Sequence, residues 1–499
     1  MLDDEFRNNV HKRTFWENLI VKKFEAPVVI IFALLASLFV TYIIALGGYQ
    51  IGVVVICALI GLPIIYATVA YPKFGIISLI ILSFFINYSS RFLPEPTPIG
   101  LLMDLWTYLL LLGIFVKMKK DKQWGYFNNT ITYFLLIWLG YNMLEIINPV
   151  SPTILEWVFT VRTVAFIMLM YFVFLYHIRT KEFIRLLIKI WLALDVIGAF
   201  SAIQQEFFGL LPLEREWLYR FPERFKLLFI GGHLRKWSIF SDPVVFAYNM
   251  VAAALLCIAL MFGPIKFSKK VILGCMATLF IFVMLYSGTR ASYVIIPAGI
   301  LMLFILKLNR QIFIFSIISG IALFVLIKIP TSNSTLARFQ SAFKPSKDAS
   351  FAERAKNQEA IRPYILSHPF GGGLGSVGVW GQRFAPNSYL AKFPPDSGYV
   401  RVAVELGWIG LLLYCIFNFV IMYKGIQYYY LIKDPELKTY CLGMVLFIFA
   451  FDVGNYPQQA LVQYPSNILF FLAMAILNIT MRLDLAERKL KPEIKPGKI

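Results

Sequence analysis

The chain has 499 residues; 59% are hydrophobic, 16% aromatic and only 15% charged, with a formal net charge of +19. Soluble domains run nearer a quarter charged, so this composition excludes an ordinary soluble fold. The informative quantity is then where the positive charge lies along the chain, not its sum.

Apolar runs of about 20 residues alternate with short polar segments, which reads as an all-α polytopic membrane protein of about 12–14 transmembrane helices. The period-2 alternation of a transmembrane barrel is absent. Fourteen candidate spans fall at 27–46, 51–70, 74–91, 99–116, 130–148, 154–176, 183–204, 242–262, 271–287, 291–306, 311–329, 397–423, 439–455 and 464–481. Residues 1–26 are polar and charged, and the first apolar run is long enough to span, so a cleavable signal peptide is not expected. Five cysteines (Cys57, Cys257, Cys275, Cys415, Cys441) sit in apolar stretches without metal spacing and are expected to be buried small hydrophobes.

With the N-terminus in the cytoplasm, the lysines and arginines collect on one side. They include Lys22 and Lys23, the run Lys117, Lys119, Lys120 and Lys122, the group Lys266, Lys269 and Lys270, and the tail from Arg482. The short outward connections hold only Arg91 and Arg290, which fixes the orientation by the positive-inside rule. The chain divides into a cytoplasmic N-terminus (1–26), a first bundle of about seven spans (27–204) and an outward loop (205–241). About four further spans (242–329), a large outward loop expected to be catalytic (330–396), about three C-terminal spans (397–481) and a basic cytoplasmic tail (482–499) follow.

Both long outward loops break the charge rule, and both are too aromatic for linkers. Loops of this size in compact proteins usually carry function. Arg290, in YSGTRAS (286–292), needs an anionic partner: a lipid headgroup, or a phosphate gripped by the planar guanidinium fork. Arg354 in FAERAKNQEAIRPY and Arg235 in HLRKWSIFSDP carry the same choice between a surface charge and an anion ligand. Asp396 follows two prolines and precedes a span, so it is either a helix cap or a carboxylate able to accept a hydroxyl proton. Arg401 and Glu405, four apart, are expected to pair on one helix face. Tyr399 lies beside them, and His368 precedes GGGLGSVG as a structural hydrogen-bonder. That glycine run lacks the Lys-Ser/Thr of a nucleotide loop. Asp104, Glu156, Arg162 and Asp452 recur at outward helix ends and together suggest a polar outward cavity. Neither an Asp-x-Asp pair nor a His cluster is present there, so a divalent-metal site is not expected.

The turn SGTRAS, then ERAKNQEAIRPYILSHPFGGGLGSVG and DSGYVRVAVELGWIGLLLY, resembles the O-antigen ligase/polymerase family of bacterial envelope glycosyltransferases. LRKWSIFSDPVVFAYNM is similar to that family's Arg-x-x-Gly-x-Phe-x-(Asp/Asn)-Pro signature, with Trp237-Ser238 where glycine is usual. The resemblance covers roughly 235–425.

It implies a GT-C-like enzyme of the bacterial inner membrane, working at the periplasmic face without metal or cofactor. The donor would be an undecaprenyl-diphosphate-linked oligosaccharide and the acceptor a glycan or lipid A-core. The lipid bilayer is its medium, nucleic acid is not a partner, and there is room for polysaccharide-export partners. Arg290 and Arg354, with Arg235, match positions that hold the donor diphosphate, and Arg401, Glu405, Tyr399 and His368 support them. Asp396 lies nine residues before Glu405, where ligases carry a histidine that activates the acceptor; this departure tilts the reading toward a polymerase. The alternative is a lipid-linked oligosaccharide flippase, which should carry polar residues through both membrane halves.

Overall fold

The computed structural model describes residues 61–93, 97, 99–121, 123–230, 232–332, 334–343 and 349–490, with residues 31, 34, 35, 37–39, 41 and 42. The expected N-terminal segment 1–26, most of span 27–46, residues 51–60 with Cys57, and the tail beyond 490 lie outside them. The chain forms two compact units, Met1–Ala70 and Tyr71–Ile499. In the first, the described residues are helical.

The second unit is a helical bundle. Its first helices are α1 (Pro72–Ser89), α2 (Gly100–Asp121), α3 (Thr130–Leu144), α4 (Ile154–Val164), α5 (Met170–His177) and α6 (Lys181–Phe207). The 205–241 loop is built from α7 (Pro212–Tyr219), α8 (Pro222–Leu228) and a two-stranded antiparallel hairpin, β1 (Phe229–Ile230) and β2 (His233–Leu234). Next come α9 (Pro243–Met261), α10 (Phe267–Met284), α11 (Arg290–Leu306) and α12 (Arg310–Lys328). The large loop folds as α13 (Ser334–Ser341), α14 (Ala349–Ser367) and α15 (Gly378–Phe384). The chain closes with α16 (Gly398–Glu405), α17 (Gly407–Leu431), α18 (Pro435–Gly454) and α19 (Ser466–Leu490).

Among the described residues, 11 helices are long and apolar enough to cross a membrane, and Gly61–Ala70 and Arg290–Leu306 are shorter apolar helices. This is an all-α polytopic membrane protein. The apolar window of α9 is 89% buried, against 6% for α12. α9 is therefore the central helix, packed on α6, α10, α11 and α18, while α12 leaves most of its Ile and Phe side chains exposed.

Two expectations are corrected. The span at 397–423 is two helices, α16 and α17, separated at Leu406. Gly407 there has φ +70°, and a Cβ on it would lie 2.0 Å from the Pro369 carbonyl oxygen, so the large loop is inserted into the break. Cys257 and Cys441 are buried, but Cys275 and Cys415 are exposed on α10 and α17, where a thiol can face lipid as a small apolar group.

Candidate functional site: an arginine-rich turn beside an exposed carboxylate

The site begins where α9 starts. Asp242 caps that helix, accepting hydrogen bonds from the Val244 and Val245 amides at 2.8 and 3.0 Å, and Pro243 occupies the first turn, where a missing N–H costs nothing. The Asp-Pro of the signature is thus a helix start. Ser238, standing where the family pattern has glycine, has φ +56° and is the one non-glycine residue with positive φ among the described residues. Glycine suits that backbone by lacking a Cβ. Here serine is held instead by hydrogen bonds: its hydroxyl donates to the Gly198 carbonyl at 2.6 Å and its amide to Gln205 Oε1 at 2.9 Å. Arg91 is buried, donates to the carbonyls of Ser238 and Phe240, and lies over the Tyr88, Trp217 and Trp237 rings. This arginine therefore clamps the first loop.

The clamped segment delivers Arg235 to the turn that ends in Arg290. Arg235 Nε donates to the Ser287 carbonyl at 2.9 Å and Nη2 to Thr289 Oγ1 at 3.1 Å. Thr289 in turn donates to the Pro243 carbonyl at 3.2 Å, tying the turn to the start of α9. Arg338, on α13, donates from Nε to the Gly288 carbonyl at 2.8 Å. A side chain at Gly288 would strike Arg338 Nε at 2.9 Å and Arg235 Cγ at 3.4 Å, so both arginines close over the turn. Arg290 is the first residue of α11 and lies within electrostatic range of Arg235. Burial, then Arg338, then Arg290 pull the Arg235 guanidinium down to about 10, against Asp242 and Tyr293. Crowded guanidinium groups of this kind are relieved by an anion.

Arg354 and Asp396 meet on the adjacent edge. Arg354 Nε, on α14, is 3.9 Å from Asp396 Oδ2, and their side chains are 27% and 51% exposed. Arg354 and Asp242 both lie within electrostatic range of Tyr248, which places Arg354 at the same end of α9 as the turn. Asp396 does not cap α16; the Ser397 hydroxyl does, accepting from the Val400 amide at 3.4 Å. That leaves the carboxylate free of the capping role its position suggested.

Behind Asp396 runs a fixed chain of polar contacts. Gln459 donates to the Pro395 carbonyl and accepts from Arg401 Nη1 at 2.8 Å. Arg401 Nε donates to Glu405 Oε1 at 3.0 Å. The buried Glu405 carboxylate also accepts from the amides of Gly375 and Val377; burial raises it above the usual carboxyl range, and Arg401 opposes the rise. The glycine run thereby docks onto α16. Gly372 and Gly373 donate to the carbonyls of Val404 and Glu405 at 2.9 Å each, and Gly375 abuts Glu156 and Thr160 of α4. Tyr399 donates to the Asp452 carbonyl at 3.2 Å, and burial raises its hydroxyl well above the ordinary value. His368 stacks on Tyr364 with centroids 4.0 Å apart, its Nδ1 2.9 Å from the Tyr364 carbonyl.

A cavity of about 110 Å³ opens beside this chain, with Arg401, Glu405 and Gln459 on one wall and Trp138, Phe417 and Phe470 on the other. Asp104, Glu156, Arg162 and Asp452 do not line it. Asp104 and Arg162 pair with each other at 2.5 Å, and Glu156 is buried under the glycine run. Asp104 and Arg162 thus neutralize each other, whereas both Glu156 carboxylate oxygens and Asp452 Oδ1 are buried with no hydrogen-bond partner among the described residues, so the four do not share the cavity beside Arg401. Among the described residues, no three His, Cys, Asp or Glu side chains gather as a metal-holding group.

Arg338 and Gln459 escaped the sequence reading. Arg338 had one signal, a cation in a loop expected to face outward, against the charge rule; Gln459 had none.

The fold and the site define a polytopic membrane protein with guanidinium groups and a carboxylate gathered at one end of its central helix. Residues 275–415 match the O-antigen ligase family model, which supports the resemblance read from the sequence over that stretch. The match spans Arg290, Arg338, Arg354, Asp396, Arg401 and Glu405, while Arg235 and Gln459 lie outside it. A search of curated proteins returned no match.

Proposed function

We propose that the protein is an inner-membrane glycosyltransferase that joins a glycan from undecaprenyl diphosphate to a sugar hydroxyl at the periplasmic face, as a polysaccharide polymerase in preference to a ligase. The acceptor oxygen attacks the anomeric carbon, the bond from that carbon to the phosphate oxygen breaks, and the diphosphate leaves with the electron pair. Arg290, Arg235, Arg338 and Arg354 supply positive charge where negative charge grows, in the manner of a divalent cation. Asp396 takes the hydroxyl proton, a contribution of about 10²–10⁴-fold. Arg401, Glu405 and Gln459 hold Asp396 in place, Tyr399 anchors α16, and His368 steadies the end of α14.

The observation that carries this reading is the contact between Arg354 and Asp396, a leaving-group cation beside an acceptor carboxylate. The preference for polymerization rests on that carboxylate standing near the position where ligases carry histidine. Purified protein supplied with lipid-linked repeat unit should yield a ladder of lengthened, lipid-linked glycans. Arg290→Ala and Asp396→Ala should abolish the ladder while the protein still inserts. Full product from both variants, or lipid moved across vesicles without a new glycosidic bond, would overturn the proposal.

A further inference from the structure

The opposite end of α9 carries a second concentration of charge that the proposed chemistry does not use. Its 19 residues place Met261 about 28 Å from the arginine turn at 1.5 Å per residue. There a groove of about 520 Å³ opens between the first turns of α6, the start of α10 and the start of α18.

Three lysines from two separate elements converge on it: Lys189 from α6, and Lys266 and Lys269 from the beginning of α10. All three are exposed. The acid in the groove, Glu436, is already occupied, with Arg185 Nη2 at 2.6 Å and the Tyr440 hydroxyl donating to the same oxygen at 2.6 Å. Among the described residues, the three lysines have no carboxylate partner. The field is strengthened nearby, where Lys270 and Lys438, after burial, pull the Lys307 ammonium down. Beneath the lysines the wall is apolar, formed by Leu192, Leu273 and Met276, with Ile272 58% exposed at its edge.

Unpaired cations above an open apolar wall call for one chemistry, an anionic head on an apolar tail. A diffuse surface charge would not need the concavity, and a free anion would not need the wall. Basic pockets between transmembrane helices take phospholipid headgroups for this reason. We propose that the groove binds an anionic phospholipid of the surrounding bilayer, with its phosphate on Lys189, Lys266 and Lys269 and its acyl chains along Leu192, Leu273 and Met276. The site is independent of the glycosyl-transfer reading.

The test is native mass spectrometry of the full chain in neutral detergent, titrated with phosphatidylglycerol or phosphatidylcholine, with and without excess inorganic phosphate. The protein should retain phosphatidylglycerol at least about tenfold better than phosphatidylcholine, and phosphate should not displace it. At about fivefold per lysine, the triple variant Lys189→Gln/Lys266→Gln/Lys269→Gln should lose on the order of 100-fold in retention. Leu273→Trp, which keeps every charge and fills the groove, should lose it too, whereas Lys328→Gln/Lys392→Gln should not. Equal retention of the two lipids, displacement by phosphate alone, or retention unaffected by Leu273→Trp would each overturn the site. The lipid comparison and Leu273→Trp decide the matter even if the triple variant does not fold.

Discussion

Arg354 and Asp396 face each other across 3.9 Å, one on α14 and the other in the turn just ahead of α16. Both side chains reach solvent, so the pair contributes at most about 1 kcal/mol to stability. Under the proposed function the pair serves binding and chemistry, and the fold does not depend on it. Arg354→Ala and Asp396→Asn should therefore leave the thermal midpoint within a few degrees of wild type. Asp396→Asn should still lower turnover by about 10²–10⁴-fold. Thermal unfolding and glycan assays on the same preparation check this; a large loss of stability with intact turnover would make the pair structural.

The turn itself predicts anion-linked stability. Burial and Arg338 oppose the charge on Arg235, so a bound diphosphate relieves the crowding and stabilizes the fold. Inorganic pyrophosphate at about 100 times its Kd should add about 2.7 kcal/mol, read as a rise in melting temperature. Arg290→Ala and Arg338→Ala should weaken the response. Arg235→Ala should also lower the starting stability by about 1–3 kcal/mol, because the Ser287 carbonyl and Thr289 hydroxyl lose their partner. An unchanged midpoint with pyrophosphate rejects the anion site.

Two glycines of the same run should behave differently. Gly378, at φ +75°, has open space where a Cβ would go, so Gly378→Ala should cost about 1–2 kcal/mol from the backbone alone. Gly375, at φ +91°, would place a Cβ 2.2 Å from Thr160 Oγ1 and 2.5 Å from the Glu156 carbonyl oxygen. Gly375→Ala should add about 1–3 kcal/mol of overpacking. Chemical unfolding of both variants in detergent reads the difference, and equal costs would mean that the run does not wedge against α4.

Glu405 gives a pH dependence with a fixed sign. Arg401 and two backbone amides favor its ionized form, yet burial outweighs them and its affinity for a proton rises on folding. From the ordinary carboxyl range upward, the folded state then binds the proton more tightly than the unfolded chain does. Stability should fall as pH rises through that window. Glu405→Gln should flatten the slope, and Glu405→Ala, which strands a partly buried Arg401, should cost about 3–5 kcal/mol at any pH. Stability against pH, measured for the three proteins, checks both statements.

The reading of residues alone located most helices within a few positions because a span is a local property: an apolar run of the right length must satisfy its own backbone as a helix. It also located the loop with Arg354 and Asp396, since cations outside the positive-inside pattern stand out in a greasy chain. The break at Gly407 was not legible, because GWIGLLL continues the apolar run and only the approach of the Pro369 carbonyl shows why the helix must stop.

The amino-acid order by itself determined the class of molecule, its membrane-spanning pattern and the family signature, all of which depend on neighbors along the chain. Only the tertiary structure decided that Arg338 joins Arg235 at the turn, that Gln459 braces Pro395 behind Asp396, and that Asp104 and Arg162 neutralize each other. Those are meetings between residues tens to hundreds of positions apart. What a buried or half-buried charge does depends on which partner the fold brings within hydrogen-bond reach, and spacing along the chain does not encode that distance.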